Sequence, residues 1–122
     1  MQREMADTPS WDTLLQTLEE FRKVRNWEQF HTLKDLAEAI SIEAAELLEV
    51  FLWKPARDTS FLSEKEQASI REEAADILIF LIYLSVEAGF DLFAAVQDKI
   101  ETNEKKYPVE KAKGRSTKYK EL

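Results

Sequence analysis

The chain has 122 residues, 44% of them apolar, enough for one small domain with a core and too few for a two-domain enzyme. Its 17 Lys and Arg against 24 Asp and Glu give a net charge of −7, which argues against binding to duplex nucleic acid or to anionic membrane surfaces. Zero cysteines and a single histidine, His31, exclude disulfide scaffolds, thiol catalysis, Fe–S clusters, Cys-type zinc sites and His-rich metal centres. The charge is uneven: residues 1–98 carry 9 basic and 20 acidic side chains, residues 99–122 carry 8 and 4. An acidic body therefore ends in a basic tail. No window approaches the about 18 consecutive apolar residues of a membrane span, and residues 1–10 lack a cleavable-leader pattern, so a soluble, cytoplasmic protein is expected.

Residues 1–10 read as a flexible N-terminus. Ser10 is a candidate N-cap for a first helix over 11–25, where Leu14, Leu15, Leu18 and Phe21 recur at helical spacing. Residues 26–32 have no period and are aromatic, a loop that ends at Thr32, a cap for the next helix. The second helix spans 33 to about 53, with Leu36, Ile40, Ala44, Leu47 and Leu48 on one stripe and Pro55 stopping it. After a connection over 54–62, Ser63-Glu64-Lys65-Glu66 has the form of a capping box and opens a third helix that runs to Gly89. Its middle, Ala74 to Leu84, is apolar on every side except at Asp76 and Tyr83, so it should be buried all round, and a lone chain has too few neighbours to do that. An oligomer is expected. Asp91 caps a fourth helix ending near Tyr107-Pro108. Residues 109–122 are polar and basic, and order there is expected only against a partner. The few glycines and prolines and this sequence of elements predict an all-α fold, a four-helix bundle over 11–108 followed by the basic tail.

The chemistry lies in two carboxylate pairs. Glu43 and Glu46 on the second helix, and Glu73 and Asp76 on the third, are each three residues apart and so share a helix face at about 5 to 6 Å. Like charges at that distance repel unless a cation sits between them. Lys and Arg are absent between Arg71 and Lys99, and an unpaired Asp76 beside Ile77 to Leu81 would be costly. Two antiparallel helices presenting such pairs converge four hard oxygen ligands, a donor set that suits Mg²⁺, with Mn²⁺ as the alternative, over zinc or copper. A di-iron bundle would need Glu-x-x-His, which neither pair provides. The bland readings are a solvated Glu-x-x-Glu face and a buried ion pair of Asp76 with Arg22, Arg25 or Lys34. Ala44, Ala45, Ala74 and Ala75 allow the close helix approach that a metal site needs.

These residues resemble the MazG-like all-α nucleoside triphosphate pyrophosphohydrolases, whose Glu-x-x-Glu, spacer, Glu-x-x-Asp pattern is matched by Glu43, Glu46, Glu73 and Asp76 with 26 residues between the middle two. From residue 11 to 122 the chain is similar to the dCTP pyrophosphatase branch. The blocks that carry this are Arg25-Asn26-Trp27-Glu28-Gln29-Phe30-His31, Glu49-Val50-Phe51-Leu52-Trp53-Lys54, Lys99 and Asn103 with Lys106-Tyr107-Pro108, and Lys118-Tyr119-Lys120-Glu121-Leu122. The resemblance implies Mg²⁺-dependent cleavage of deoxynucleoside triphosphates, best dCTP or a modified dCTP, to the monophosphate and pyrophosphate, as nucleotide-pool house-cleaning. It makes Glu43, Glu46, Glu73 and Asp76 the metal ligands and leaves Glu43 or Glu46 as the base. Trp27 and Trp53 would flank the nucleobase, His31 would lie near the nucleotide, and Lys54, Lys99, Asn103, Lys106 and Tyr107 would bind phosphate or sugar. Relatives that assemble as homotetramers, dimers of dimers, carry the same tail. Two positions depart from close relatives: Leu18 stands where a polar residue faces the base, and Phe80 where a tyrosine is found, so two groups able to discriminate cytosine are missing. The alternatives weighed against this enzyme are a non-catalytic helical adaptor, aromatic residues that merely plug the bundle end, and lysines of an ordinary solvated face.

Overall fold

In the computed structural model, which describes residues 8–55, 60 and 62–122, each long helix begins at a cap that its sequence specifies. Ser10 Oγ accepts from the Thr13 amide (3.2 Å) at the head of α1, Trp11–Lys23, and Thr32 Oγ1 accepts from the Asp35 amide (3.1 Å) at the head of α2, Leu33–Glu49. Ser63 and Glu66 exchange both bonds of a capping box, 3.0 and 3.1 Å, ahead of α3, Glu64–Ala88. Asp91 Oδ1 accepts from the Ala94 amide (3.0 Å) before α4, Leu92–Lys106. Each cap satisfies an amide the helix cannot pair internally, worth about 1 kcal/mol. No strand occurs among the described residues, and the fold is all-α.

Three expectations are corrected. The first helix ends at Lys23, because Asn26 takes up a left-handed conformation (φ 54°) that turns the chain back on itself, with the Trp27 amide donating to Arg22 O at 3.0 Å. The second ends at Glu49 and not near Trp53: the backbone tightens into three-residue turns at Phe51 and Leu52 and then passes through a positive φ of 65° at Trp53. The tail does not wait for a partner to form structure. A one-turn helix α5, Val109–Ala112, follows Pro108, a short 3-10 turn occupies Tyr119–Glu121, and the Tyr107 and Tyr119 rings meet edge to face at 6.2 Å. Residues 1–7 of the expected flexible terminus, and 56–59 and 61 of the connection, lie outside the described residues.

The chain forms two compact units, Met1–Ala88 and Gly89–Leu122. In the first, α2 and α3 are antiparallel: Lys54 just beyond α2 pairs with Glu66 near the start of α3, while Glu43 further back meets Glu73 and Asp76 further on. α1 runs in the same sense as α3, since Leu18 O accepts from Tyr83 Oη (3.1 Å) and Arg22 pairs with Glu87 one turn later on each helix. Leu18, Leu36, Ile82 and Tyr83 are the buried apolar residues of this unit. In the single chain helix α3 is not covered all round: Leu78 is 41% exposed, as is Val86 beyond the 74–84 stretch, and Ile42 and Leu48 on α2 are more so. No single described helix is long and apolar enough to cross a membrane.

Candidate active site

The antiparallel pairing of α2 with α3 brings one carboxylate oxygen from each of Glu43, Glu73 and Asp76 within 4.8 Å of one another. Glu43 Oε2 and Glu73 Oε2 are buried and have no hydrogen-bond partner. A buried acceptor without a donor is costly, and two facing each other are more so. The facing Glu43 carboxyl, a partner only when one of the two is protonated, is the largest cause holding the Glu73 carboxyl above its ordinary range; burial and the Glu43 charge add to this, and hydrogen bonding to Glu46 opposes it.

None of the cations named as ion-pair partners for Asp76 is free for it. Arg22 is committed to Glu19 and Glu87, Arg25 donates to Phe21 O (2.8 Å) and lies 3.7 Å over the Phe21 ring, and Lys34 pairs with Glu38 at 3.5 Å. Three hard oxygen ligands, two of them orphaned, fit a divalent cation of the Mg²⁺ or Mn²⁺ type. Glu46 lies outside this triad of oxygens. It lines an adjoining open pocket of about 520 Å³ with Glu49, Val50, Lys65, Glu66, Ser69 and Glu73, so Glu73 belongs to both places. Near it, Lys54 Nζ is 2.5 Å from Glu66 Oε2, and that contact together with the Ser63 cap holds the Glu66 carboxyl down at about 2.

On the other side of Asp76 is an aromatic pocket of about 320 Å³ lined by Leu18, Phe21, Trp27, His31, Asp76, Ile79, Phe80 and Tyr83. The left-handed turn at Asn26 leads directly into Trp27, whose ring meets that of Phe21 edge to face at 5.6 Å. Asx side chains tolerate this conformation better than most. Trp27 and His31 are thus brought to one cavity, together with Leu18 and Phe80.

Trp53, of the same unit, does not line that cavity. Trp53 is 93% exposed, at a backbone conformation that costs a bulky residue on the order of 1–3 kcal/mol. Lys99, Asn103, Lys106 and Tyr107 belong to the second unit; the first three, spaced four and three apart, share one side of α4, and Lys106 Nζ sits 4.7 Å over the Tyr119 ring.

Sequence reasoning missed a second charged cluster. Arg22, only 1% exposed, places Nη1 2.8 Å from Glu87 Oε1 and 3.2 Å from His31 Nδ1, and Nη2 3.0 Å from Glu19 Oε1. The His31 ring stacks on Tyr83 at 4.9 Å. The signal was there to be found: Arg22 lies four residues after Leu18, on the same stripe of α1, and three after an acid.

With this geometry in hand, likeness to known proteins carries weight. Residues 38–122 match the MazG-like family. The chain is 38% identical over 116 residues to dCTP pyrophosphatase 1 of Bos taurus, covering 93% of this chain and 69% of that protein. It is 36% identical to dCTP pyrophosphatase 1 of Homo sapiens, covering 93% of this chain and 68% of that one. The crystal structure of a pyrophosphatase from Archaeoglobus fulgidus superposes with a TM-score of 0.75 at 41% identity, over 88% of this chain and 98% of that one. The matched span contains Glu43, Glu73 and Asp76, and the chain belongs to the MazG-like family.

Proposed function

We propose that the protein is a metal-dependent nucleoside triphosphate pyrophosphohydrolase that removes unwanted deoxynucleoside triphosphates from the nucleotide pool, with dCTP or a modified dCTP as its preferred substrate. The observation that carries this is the double placement of Asp76, which belongs both to the oxygen triad and to the wall of the aromatic pocket. A planar base held by Trp27 and His31 would then leave its phosphates beside the acids. The names of relatives at 36–38% identity support the same reading.

Glu43, Glu73 and Asp76, with Glu46 from the adjoining pocket, would hold Mg²⁺ or Mn²⁺. Bound there, the cation neutralises triphosphate charge and eases deprotonation of water. The chain's own groups do the rest. Water adds to the α-phosphorus, the bond to the bridging oxygen of the β-phosphate breaks, and pyrophosphate leaves. Glu43 or Glu46 takes the proton of the attacking water. Lys54, at the edge of the acidic pocket, exchanges Glu66 for a phosphate oxygen, and Lys99, Asn103, Lys106 and Tyr107 are assigned to phosphate or sugar. Trp53, strained and exposed, is assigned to the base. The apolar wall made by Leu18 and Phe80 has no polar atom with which to read cytosine, so discrimination among pyrimidines should be loose.

We further read the exposed Ile42, Leu48, Leu78 and Val86 as surfaces covered in a homotetramer, a dimer of dimers. The adaptor alternative has no use for two buried, donorless carboxylate oxygens. The deciding experiment incubates each deoxynucleoside triphosphate with and without Mg²⁺ and identifies products. Pyrophosphate and the monophosphate, formed only with the metal, are expected; orthophosphate alone would indicate a phosphatase, and no product an adaptor.

A further inference from the structure

The buried Arg22 cluster lies directly behind the aromatic pocket, and its chemistry constrains what the pocket presents. A guanidinium has donors and no acceptor. Its Nη1, 3.2 Å from His31 Nδ1, therefore requires Nδ1 to be the unprotonated nitrogen, which leaves the ring's one proton on Nε2. The ring is held in that orientation by stacking on Tyr83, whose hydroxyl is itself anchored to Leu18 O, and by Arg22, which lies 4.9 Å from the same Tyr83 ring. Nε2 makes no hydrogen bond among the described residues, while the His31 side chain lines the cavity.

We infer that Arg22 is a positioning residue for base recognition: it locks His31 as the neutral Nε2–H tautomer, so that the ring offers the pocket's ligand a hydrogen-bond donor and never an acceptor. The partner on the base is a carbonyl or an unprotonated ring nitrogen, and an exocyclic amine facing His31 is rejected. The recognition role rests on the pyrophosphohydrolase reading above; the tautomer does not.

Several charged and titratable groups surround His31, and Asp76 lines the same cavity. Arg22 and Glu19 face it from α1, Glu87 and Tyr83 from α3, and Glu28 from the short turn Glu28–Phe30. Burial is the largest influence and the Arg22 charge the next, both disfavouring the imidazolium; Glu87, Glu19 and Glu28 pull the other way and do not prevail, so the ring's pKa lies below its ordinary value. Protonation at Nδ1 would set two donors against each other at 3.2 Å, so the contact and the charged ring exclude one another. Without Arg22, burial and the three glutamates remain, and the imidazolium is less disfavoured, so the ring's pKa should rise.

The chain has one histidine, so long-range ¹H–¹⁵N spectra of the whole protein contain a single imidazole. At neutral pH the spectrum should show an unprotonated Nδ1 and a protonated Nε2; an Nδ1–H ring, or an even mixture of tautomers, would overturn the inference whether or not the protein is an enzyme. In Arg22→Met the ring should become mixed or protonated at the same pH. With dCTP as substrate, this variant should raise KM by about tenfold more than it changes kcat, the worth of one hydrogen bond. The acid limb of its kcat/KM profile should move to higher pH. A folded variant with an unmoved limb and unchanged KM sinks the positioning role even if the enzyme reading holds. Should Arg22→Met fail to fold, Arg22→Lys keeps the charge but cannot span Glu19, Glu87 and His31 together, and the same tautomer mixing is expected of it; a ring still locked as Nε2–H there overturns the role of the guanidinium.

Discussion

The Arg22 cluster and the Glu43 triad are both knots of acidic side chains in the first unit, and they differ in where their cation comes from. Around Arg22, Glu19 and Glu87 have a guanidinium within 3.0 Å, supplied by the chain itself. Among the described residues no side-chain cation forms an ion pair with Glu43, Glu73 or Asp76, and two carboxylate oxygens stay buried without a donor. The first arrangement has its charges paired by the chain itself, although Glu19 Oε1 and Arg22 Nε are buried without a hydrogen-bond partner, and acts as structure. The second leaves its charge to be balanced from outside, which is the signature of a site. Substitutions in the two places should therefore fail in opposite ways.

The largest effect is expected in the triad. Glu73→Gln and Asp76→Asn should each lower pyrophosphate release at least about a hundredfold, since each removes a charged ligand while keeping the shape. Without metal, the same variants should melt at or above the temperature of the unmodified protein, because a repulsive charge has gone. Glu49→Gln, on the open pocket beyond Glu46, should cost less. Full activity in folded Asp76→Asn would remove the distinction between the two clusters.

Arg22→Met should show the reverse, a loss of stability before a loss of chemistry. It strands Glu19 and Glu87, whose side chains are 39% and 33% exposed, so the cost should be about 2 kcal/mol and below that of breaking a fully buried pair. The midpoint of urea unfolding measures it. A midpoint unchanged within error would mean that the two glutamates do not need their cation.

What the sequence could and could not reveal follows the same physics. Caps are local, so Ser10, Thr32, Ser63 and Asp91 were legible from a few residues each, and the carboxylate pairs from their three-residue spacing. The early ends of α1 and α2 were not, because they depend on Asn26 and Trp53 adopting positive φ, which no composition rule demands of tryptophan. Asp76 was expected to be buried among apolar residues; it instead lines a cavity, because what faces it is set by α1 and the Trp27 loop, elements far away in sequence. The Arg22 cluster escaped notice for a related reason: the sequence presents Arg22 only as a candidate partner of Asp76, since its partners Glu87 and His31 are distant along the chain, and only tertiary structure joins them.

Metal binding offers a gentler test of the comparison. Mg²⁺ at ten times its dissociation constant should stabilise the protein by about 1.4 kcal/mol through linkage alone. The shift in melting temperature should vanish in Glu73→Gln and survive in Arg22→Lys. Equal shifts in both variants would place the cation away from the triad.

The smallest effect concerns Glu66, which stands between the two cases: an acid on the rim of the acidic pocket that does have a chain cation, Lys54, at 2.5 Å. Its folded pKa of about 2 lies below the ordinary 4.5, first because of Lys54 and then because of the Ser63 amide and hydroxyl. A depressed carboxyl contributes stability that is present above about 4.5 and lost as pH falls toward about 2, since the unfolded chain takes up the proton earlier. Glu66→Gln keeps an oxygen for the Ser63 amide and removes only the charge, so its unfolding free energy should depend less steeply on pH across that window than that of the unmodified chain. Because the pair is near the surface, the difference should be small and should shrink further in high salt. Parallel pH profiles for the two proteins at low salt would mean that Lys54 is not held by Glu66 in solution, and would leave it free for phosphate without any exchange of partners.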